Sequence, residues 1–179
     1  MNQKILVRCA ALVLLAVVAA AVNLPGSPLY GGSSGTAAVS GSSVGEILPD
    51  FSVTCLDGSV FALSEQSGKT VVVNLWATWC APCVKELPHF DRLLREHGDD
   101  TAVLAVHCAP VTEDVEAWLG GYDYAFPVAL ADSRVLTDLF GGGDVLPRTV
   151  VVSPDGTVLY NAAGSVDYEL LLRLTGHGE

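Results

Sequence analysis

The chain has 179 residues, half of them apolar, with 9 Lys and Arg against 20 Asp and Glu. That composition leaves room for one domain of ordinary size with a real core, and it excludes a chain that is disordered throughout. From residue 44 onward there are 7 basic and 20 acidic residues, a net charge of −13, which argues against binding along a nucleic-acid phosphate backbone.

Lys4 and Arg8 form a positive start, and an apolar run from Cys9 to Val22 follows them. Residues 1–22 therefore read as a targeting segment, and two readings of it stay open. Ala19-Ala20-Ala21 has the small-residue character of a signal-peptide cleavage site. Counted from Ile5 to Leu24, the same segment has the length of an uncleaved membrane anchor. Both readings place the remainder outside the cytoplasm, where disulfides persist, and confine membrane contact to this segment. Cys9 precedes the apolar run and reads as one more residue of it. Residues 23–43, "NLPGSPLYGGSSGTAAVSGSS", are rich in Gly and Ser without an apolar period. They read as a flexible linker, spanning about 25 Å on average. The domain proper is expected over 44–179.

Its predicted elements follow in order. "DFSVTCLDGSVFAL" carries two short apolar runs around Asp57-Gly58, a hairpin signal. "TVVVNLW" at 70–76 is a β-branched run that predicts a buried strand. After it come Cys80 and Cys83, and then Val84, Leu87, Phe90, Leu93 and Leu94 at helical spacing. Pro88 falls within that helix and is expected to kink it, and Gly98 ends it. "TAVLAVH" at 101–107 predicts a second buried strand. "TEDVEAWL" at 112–119 opens like a helix, with Thr112 ahead of the acids. Residues 132–140 predict a further short helix. "RTVVVSPDGTVLYNAAG" at 148–164 predicts two strands around Pro154-Asp155-Gly156, and about 166–175 a last amphipathic helix. The fold class is α/β: a mixed central sheet flanked by helices, with an N-terminal β-hairpin.

The order strand, Trp79-Cys80-Ala81-Pro82-Cys83, helix carries chemistry. Both thiols fall at a helix N-terminus, where unpaired N–H groups and the helix dipole stabilise a thiolate. Cys80 is expected as the exposed nucleophile and Cys83 as the buried thiol that resolves its mixed disulfide. The exchange uses the cysteines themselves and implies no cofactor. Trp76 is expected in the core, and Trp79 against the peptide that is being handled.

"NLWATWCAPCVKELP" resembles the active-site signature of thioredoxin-like proteins, and in particular of the TlpA/ResA-like exported thiol–disulfide oxidoreductases. The resemblance runs over most of 45–175. It includes "LPDFSVTCLDGSVFALSEQSGKTVVVNLWATWC" and "LPRTVVVSPDGTVLYNAAG". It implies a thioredoxin-like sandwich and a cis Leu146–Pro147 peptide facing the cysteine pair. Trp79, Pro82, Leu146 and Pro147 are then the surface that meets the substrate. It implies that Glu86 handles protons at the catalytic pair; the alternative is a solvated helix acid. Asn74 stands where ordinary thioredoxins carry a buried Asp, which raises the weight on Glu86. The implied activity is that of a protein-disulfide reductase. Its partners would be client proteins bearing disulfides or thiols, with a membrane thiol electron donor. A disulfide-forming oxidase is the alternative within this class.

Neither Cys55 nor Cys108 belongs to the family signature, so the resemblance implies nothing about them. They fit a structural disulfide, two separate buried thiols, or a regulatory third thiol near the site. His107-Cys108 with Cys80 and Cys83 would make a Cys3His zinc set on paper, yet the redox signature already accounts for the pair, so no metal is assigned. His89, His97 and His177 read as solvated or capping residues. A copper chaperone would be a different class of function, and Cys-Ala-Pro-Cys is narrower than its usual spacing. A peroxidase needs a Pro-x-x-x-Thr-x-x-Cys loop that the sequence lacks.

Overall fold

The computed structural model describes residues 42–108, 114–131, 139–140 and 145–178. Strands β1 (Ser52–Thr54) and β2 (Val60–Ala62) pair antiparallel. Gly58 closes their turn at φ 81°, a conformation with no penalty for glycine, and Asp57 accepts the Ser59 N–H at 2.9 Å. A 3-10 turn at Leu63–Gln66 leads to β3 (Thr70–Trp76). Helix α1 (Ala81–His97) and strand β4 (Thr101–His107) follow. Then come α2 (Val115–Leu119), β5 (Val128–Leu130), β6 (Arg148–Val152), β7 (Val158–Ala163) and α3 (Tyr168–Thr175).

The main sheet has the order β5-β4-β3-β6-β7. β3 runs parallel to β4, and β4 to β5, while β6 and β7 join antiparallel. The apolar runs of β3 and β4 reflect that every residue in both strands is buried. Alternation then sorts them by face. Val72 and Trp76 meet Leu87, Phe90 and Leu93 of α1 and Leu171 of α3. Val71, Val73 and Leu75 meet Leu48, Phe61 and Phe140 on the other side.

α1 continues through Pro88 to the Gly98 cap without interruption. Two helix starts differ from the sequence expectation. α2 begins at Val115 behind an Asp114 cap, whose Oδ1 accepts the Ala117 N–H at 2.9 Å; Thr112 lies outside the described residues. α3 begins at Tyr168, not near 166. Asp167 caps it by accepting the Leu170 N–H at 2.8 Å, and the Val166 N–H is drawn away to Glu86. Of the helix expected over 132–140, only Leu139 and Phe140 are described, and both are buried. Ser42 reads as linker by composition, yet it is buried and its carbonyl accepts from Asn161 Nδ2 at 2.8 Å. No helix among the described residues is long and apolar enough to cross a membrane. Residues 1–22 lie outside them.

Candidate active site

β3 ends at Trp76, and three residues later the chain turns into α1, so the cysteines sit where the C-terminal end of the central strand meets a helix N-terminus. Cys80 is the N-cap, and its Sγ accepts the Cys83 N–H at 3.4 Å. The two are joined as a disulfide with Cα atoms 5.2 Å apart. Cys83 is fully buried, but Cys80 is only 5% exposed in this oxidised form, not openly exposed as expected. Trp79 beside it is 64% exposed, while Trp76 is buried in the core.

His107 supports this turn from beneath. It is buried at the end of β4, packs edge-on against Trp76 with centroids 5.1 Å apart, and its Nε2 accepts the Thr78 N–H at 3.2 Å. Sequence reasoning placed His107 only in a hypothetical zinc set. The register of β3 against β4, which sets Trp76 opposite His107, reveals its contact with the loop.

Glu86 lies one helical turn beyond Cys83 on the same side of α1, and it is 2% exposed. Its Oε1 accepts from Asn74 Nδ2 at 2.8 Å and its Oε2 from the Val166 N–H at 2.9 Å. Burial raises its pKa from 4.5 to about 7, against the opposing pull of the Val166 and Asn74 hydrogen bonds. The reading of Glu86 as a solvated helix acid is therefore corrected. A groove of about 390 Å³ reaches it, lined by Ala81, Pro82, Lys85, His89, Ser165 and their neighbours. Asn74 is thus the donor that holds the carboxylate, a role that its difference from the usual Asp did not by itself disclose.

Leu146–Pro147 is a cis peptide. Arg148, the next residue, stands opposite Leu75, so the start of β6 lies beside the end of β3 that leads to the cysteines. Pro147 is buried, Leu146 half-buried and Pro82 exposed.

Cys55 and Cys108 are separate thiols, so the structural-disulfide reading is corrected. Cys55 bridges Ala129 on β5, and Ala129 stands opposite Val106 on β4. Two strand spacings, about 9–10 Å, separate Cys55 from β4. A disulfide needs Cα atoms within about 7 Å. Burial pushes the Cys108 thiol up to about 12, so at neutral pH it stays protonated and weakly nucleophilic. None of the three histidines is freely solvated: His89, His97 and His177 are all half-buried, and His97 and His177 stack with centroids 3.9 Å apart.

Residues 44–161 match the model of the AhpC/TSA family. The chain is 36% identical over 97 residues to the thioredoxin-like protein YneN of Bacillus subtilis, covering 52% of this chain and 57% of that protein. It is 30% identical over 129 residues to the thiol-disulfide oxidoreductase ResA of Bacillus thuringiensis, covering 72% of this chain and 74% of that one. Among solved structures it is similar to the exposed lipoprotein thioredoxin Etrx1 of Streptococcus pneumoniae, with TM-score 0.65, 28% identity, and coverage of 72% of this chain and 98% of that one. With a thioredoxin-like sheet and a cysteine pair at a helix N-terminus, the chain belongs to the AhpC/TSA family and, within it, to the thiol–disulfide oxidoreductases of the ResA type.

Proposed function

We propose that this protein reduces disulfides of other extracytoplasmic proteins by dithiol–disulfide exchange at Cys80 and Cys83. The observation that carries the reading is the Cys80–Cys83 disulfide at the start of α1, with Glu86 buried one turn behind it. In the reduced protein, the Cys80 thiolate attacks one sulfur of a client disulfide and expels the other as a thiolate. Cys83 then attacks the mixed disulfide and releases the client as a dithiol. Two electrons pass to the client, and the enzyme is left with the intramolecular disulfide. A membrane thiol donor restores the dithiol.

Glu86 is suited to the proton traffic. With a pKa of about 7 it is present in both forms near neutrality, as a base able to accept the Cys83 proton and an acid able to return one. Trp79, Pro82 and Leu146 offer exposed surface to the client, while Pro147, assigned to the same side, is buried in the oxidised protein. The similarity to ResA, named a thiol-disulfide oxidoreductase, supports the activity. The positive start and apolar run of residues 1–22 support export, either with a cleaved signal or with a retained anchor.

The deciding experiment is the reduction potential of the Cys80–Cys83 pair, measured by equilibration with defined thiol buffers. A value near about −270 mV supports a reductase. A value near about −120 mV would overturn that direction and make the protein a disulfide-forming oxidase. N-terminal sequencing of the protein recovered from cells separates cleavage from anchoring.

A further inference from the structure

A hollow of about 400 Å³ is lined by Thr78, Trp79, Asp114 and Trp118; it shares no lining residue with the Glu86 groove, and Trp79 directly precedes Cys80. Its walls are aromatic. Trp79 is largely exposed for so big an apolar ring. Trp118 is held from behind, tilted against buried Trp76 at 5.3 Å and stacked on Tyr122 at 4.6 Å. The row continues through Tyr124 to Phe126 at 5.2 and 5.0 Å, so Trp118 is seated at the end of a supported stack.

Among the described residues, Asp114 is the only charged one in this lining. Its backbone begins α2, and its Oδ1 is fixed by the Ala117 N–H. Its other oxygen has no hydrogen-bond partner among the described residues. A cation is attracted to the face of an indole and to a carboxylate, and a long aliphatic stem packs well on aromatic rings. Two tryptophans and a carboxylate lining one hollow therefore suit a lysine or arginine side chain. The excess of 20 acidic over 7 basic residues from position 44 onward draws basic clients in the same sense.

We propose that this hollow is a specificity subsite: it receives a basic side chain of the client a few residues from the cysteine under attack. The proposal rests on the reading of the protein as a thiol–disulfide oxidoreductase and adds the class of client.

The test uses the full chain in an uncharged detergent, reduced and freed of reductant. The probes are short peptides with one cysteine disulfide-bonded to a chromogenic aromatic thiol, and with Arg, Ala or Glu two residues from the cysteine. Single-turnover release of the chromophore should be about tenfold faster for the Arg than for the Ala peptide. That ratio should fall below about threefold in both Asp114→Asn and Trp118→Ala. Asn also caps helices, so D114N keeps its fold. Glu65→Gln removes the same charge from the exposed 3-10 turn and should leave the ratio intact.

A ratio near one in the wild type, or one that survives both variants, overturns the subsite. Binding of Cys-to-Ser versions of the peptides to the oxidised protein, read by tryptophan fluorescence, keeps the two hypotheses apart. If no probe is reduced, the redox reading fails, and the subsite still stands or falls on whether the Arg peptide binds more tightly than the Ala peptide.

Discussion

Asn74 Nδ2 lies 2.8 Å from Glu86 Oε1, a buried hydrogen bond that ties the middle of β3 to the inner face of α1. The other end of the same amide, Oδ1, is buried without a hydrogen-bond partner among the described residues. A carboxylate only accepts hydrogen bonds, whereas a carboxylic acid also donates one. An amide turned through half a rotation would present Oδ1 to protonated Glu86. Asn74 can thus serve both protonation states, which a hydrophobic neighbour could not. Asn74→Ala removes one bond that favours the carboxylate while leaving the residue buried. The Glu86 pKa should then rise above about 7. Titration of the carboxyl infrared band, assigned by its loss in Glu86→Gln, measures this. An unchanged or lower value would mean that Asn74 does not favour the charged form.

The same carboxyl links stability to pH. The folded protein holds the Glu86 proton up to about 7, while a free glutamic acid releases it near 4.5. Stability from this group is therefore fully present below about 4.5 and is lost as pH rises through about 7. The interval corresponds to about 3 kcal/mol as an upper figure. Glu86→Gln carries no charge, and its amide can pair with a turned Asn74. It should be more stable than wild type by about 2 kcal/mol at pH 8, and close to it at pH 5. Denaturant unfolding at the two pH values checks this. A difference independent of pH would show that folding does not raise the Glu86 pKa above that of a free glutamic acid. In exchange assays the same variant should flatten the pH–rate profile near 7.

The exchange mechanism assigns different jobs to the two sulfurs. Cys83→Ser should stop the reaction at the mixed disulfide and accumulate client adducts on Cys80. Cys80→Ser should accumulate none, because Cys83 is fully buried under the helix start. Non-reducing gels of cell extracts read both. Adducts in Cys80→Ser at the level of Cys83→Ser would reverse the assignment.

His107 holds the loop that presents Trp79 and Cys80, through the 3.2 Å bond from the Thr78 N–H. His107→Phe keeps a ring against Trp76 but removes this acceptor. It should lower stability by about 1–3 kcal/mol and speed alkylation of reduced Cys80 as the loop loosens. Unfolding and alkylation kinetics give the two readouts. Unchanged alkylation would confine His107 to packing.

The sequence by itself determined the strand and helix order, the hairpin at Asp57-Gly58, the burial of β3 and β4 and the place of the cysteine pair. These are local properties: β-branched runs, glycine at positive φ, and helical spacing are read within a few neighbours. It left Glu86 poised between surface acid and buried proton carrier, because Glu at one helical position can face either way. Only the packing of α1 on β3, with the loop before α3 folded over its side, buries that carboxyl and brings Asn74 and Val166 to its two oxygens. Tertiary register likewise decided the fate of Cys55 and Cys108, by setting β5 between them. It also brought Trp118 and Asp114 beside Trp79, from a stretch more than thirty residues away. Contacts of this kind depend on which strands become neighbours, and that choice follows from the cooperative burial of the whole core.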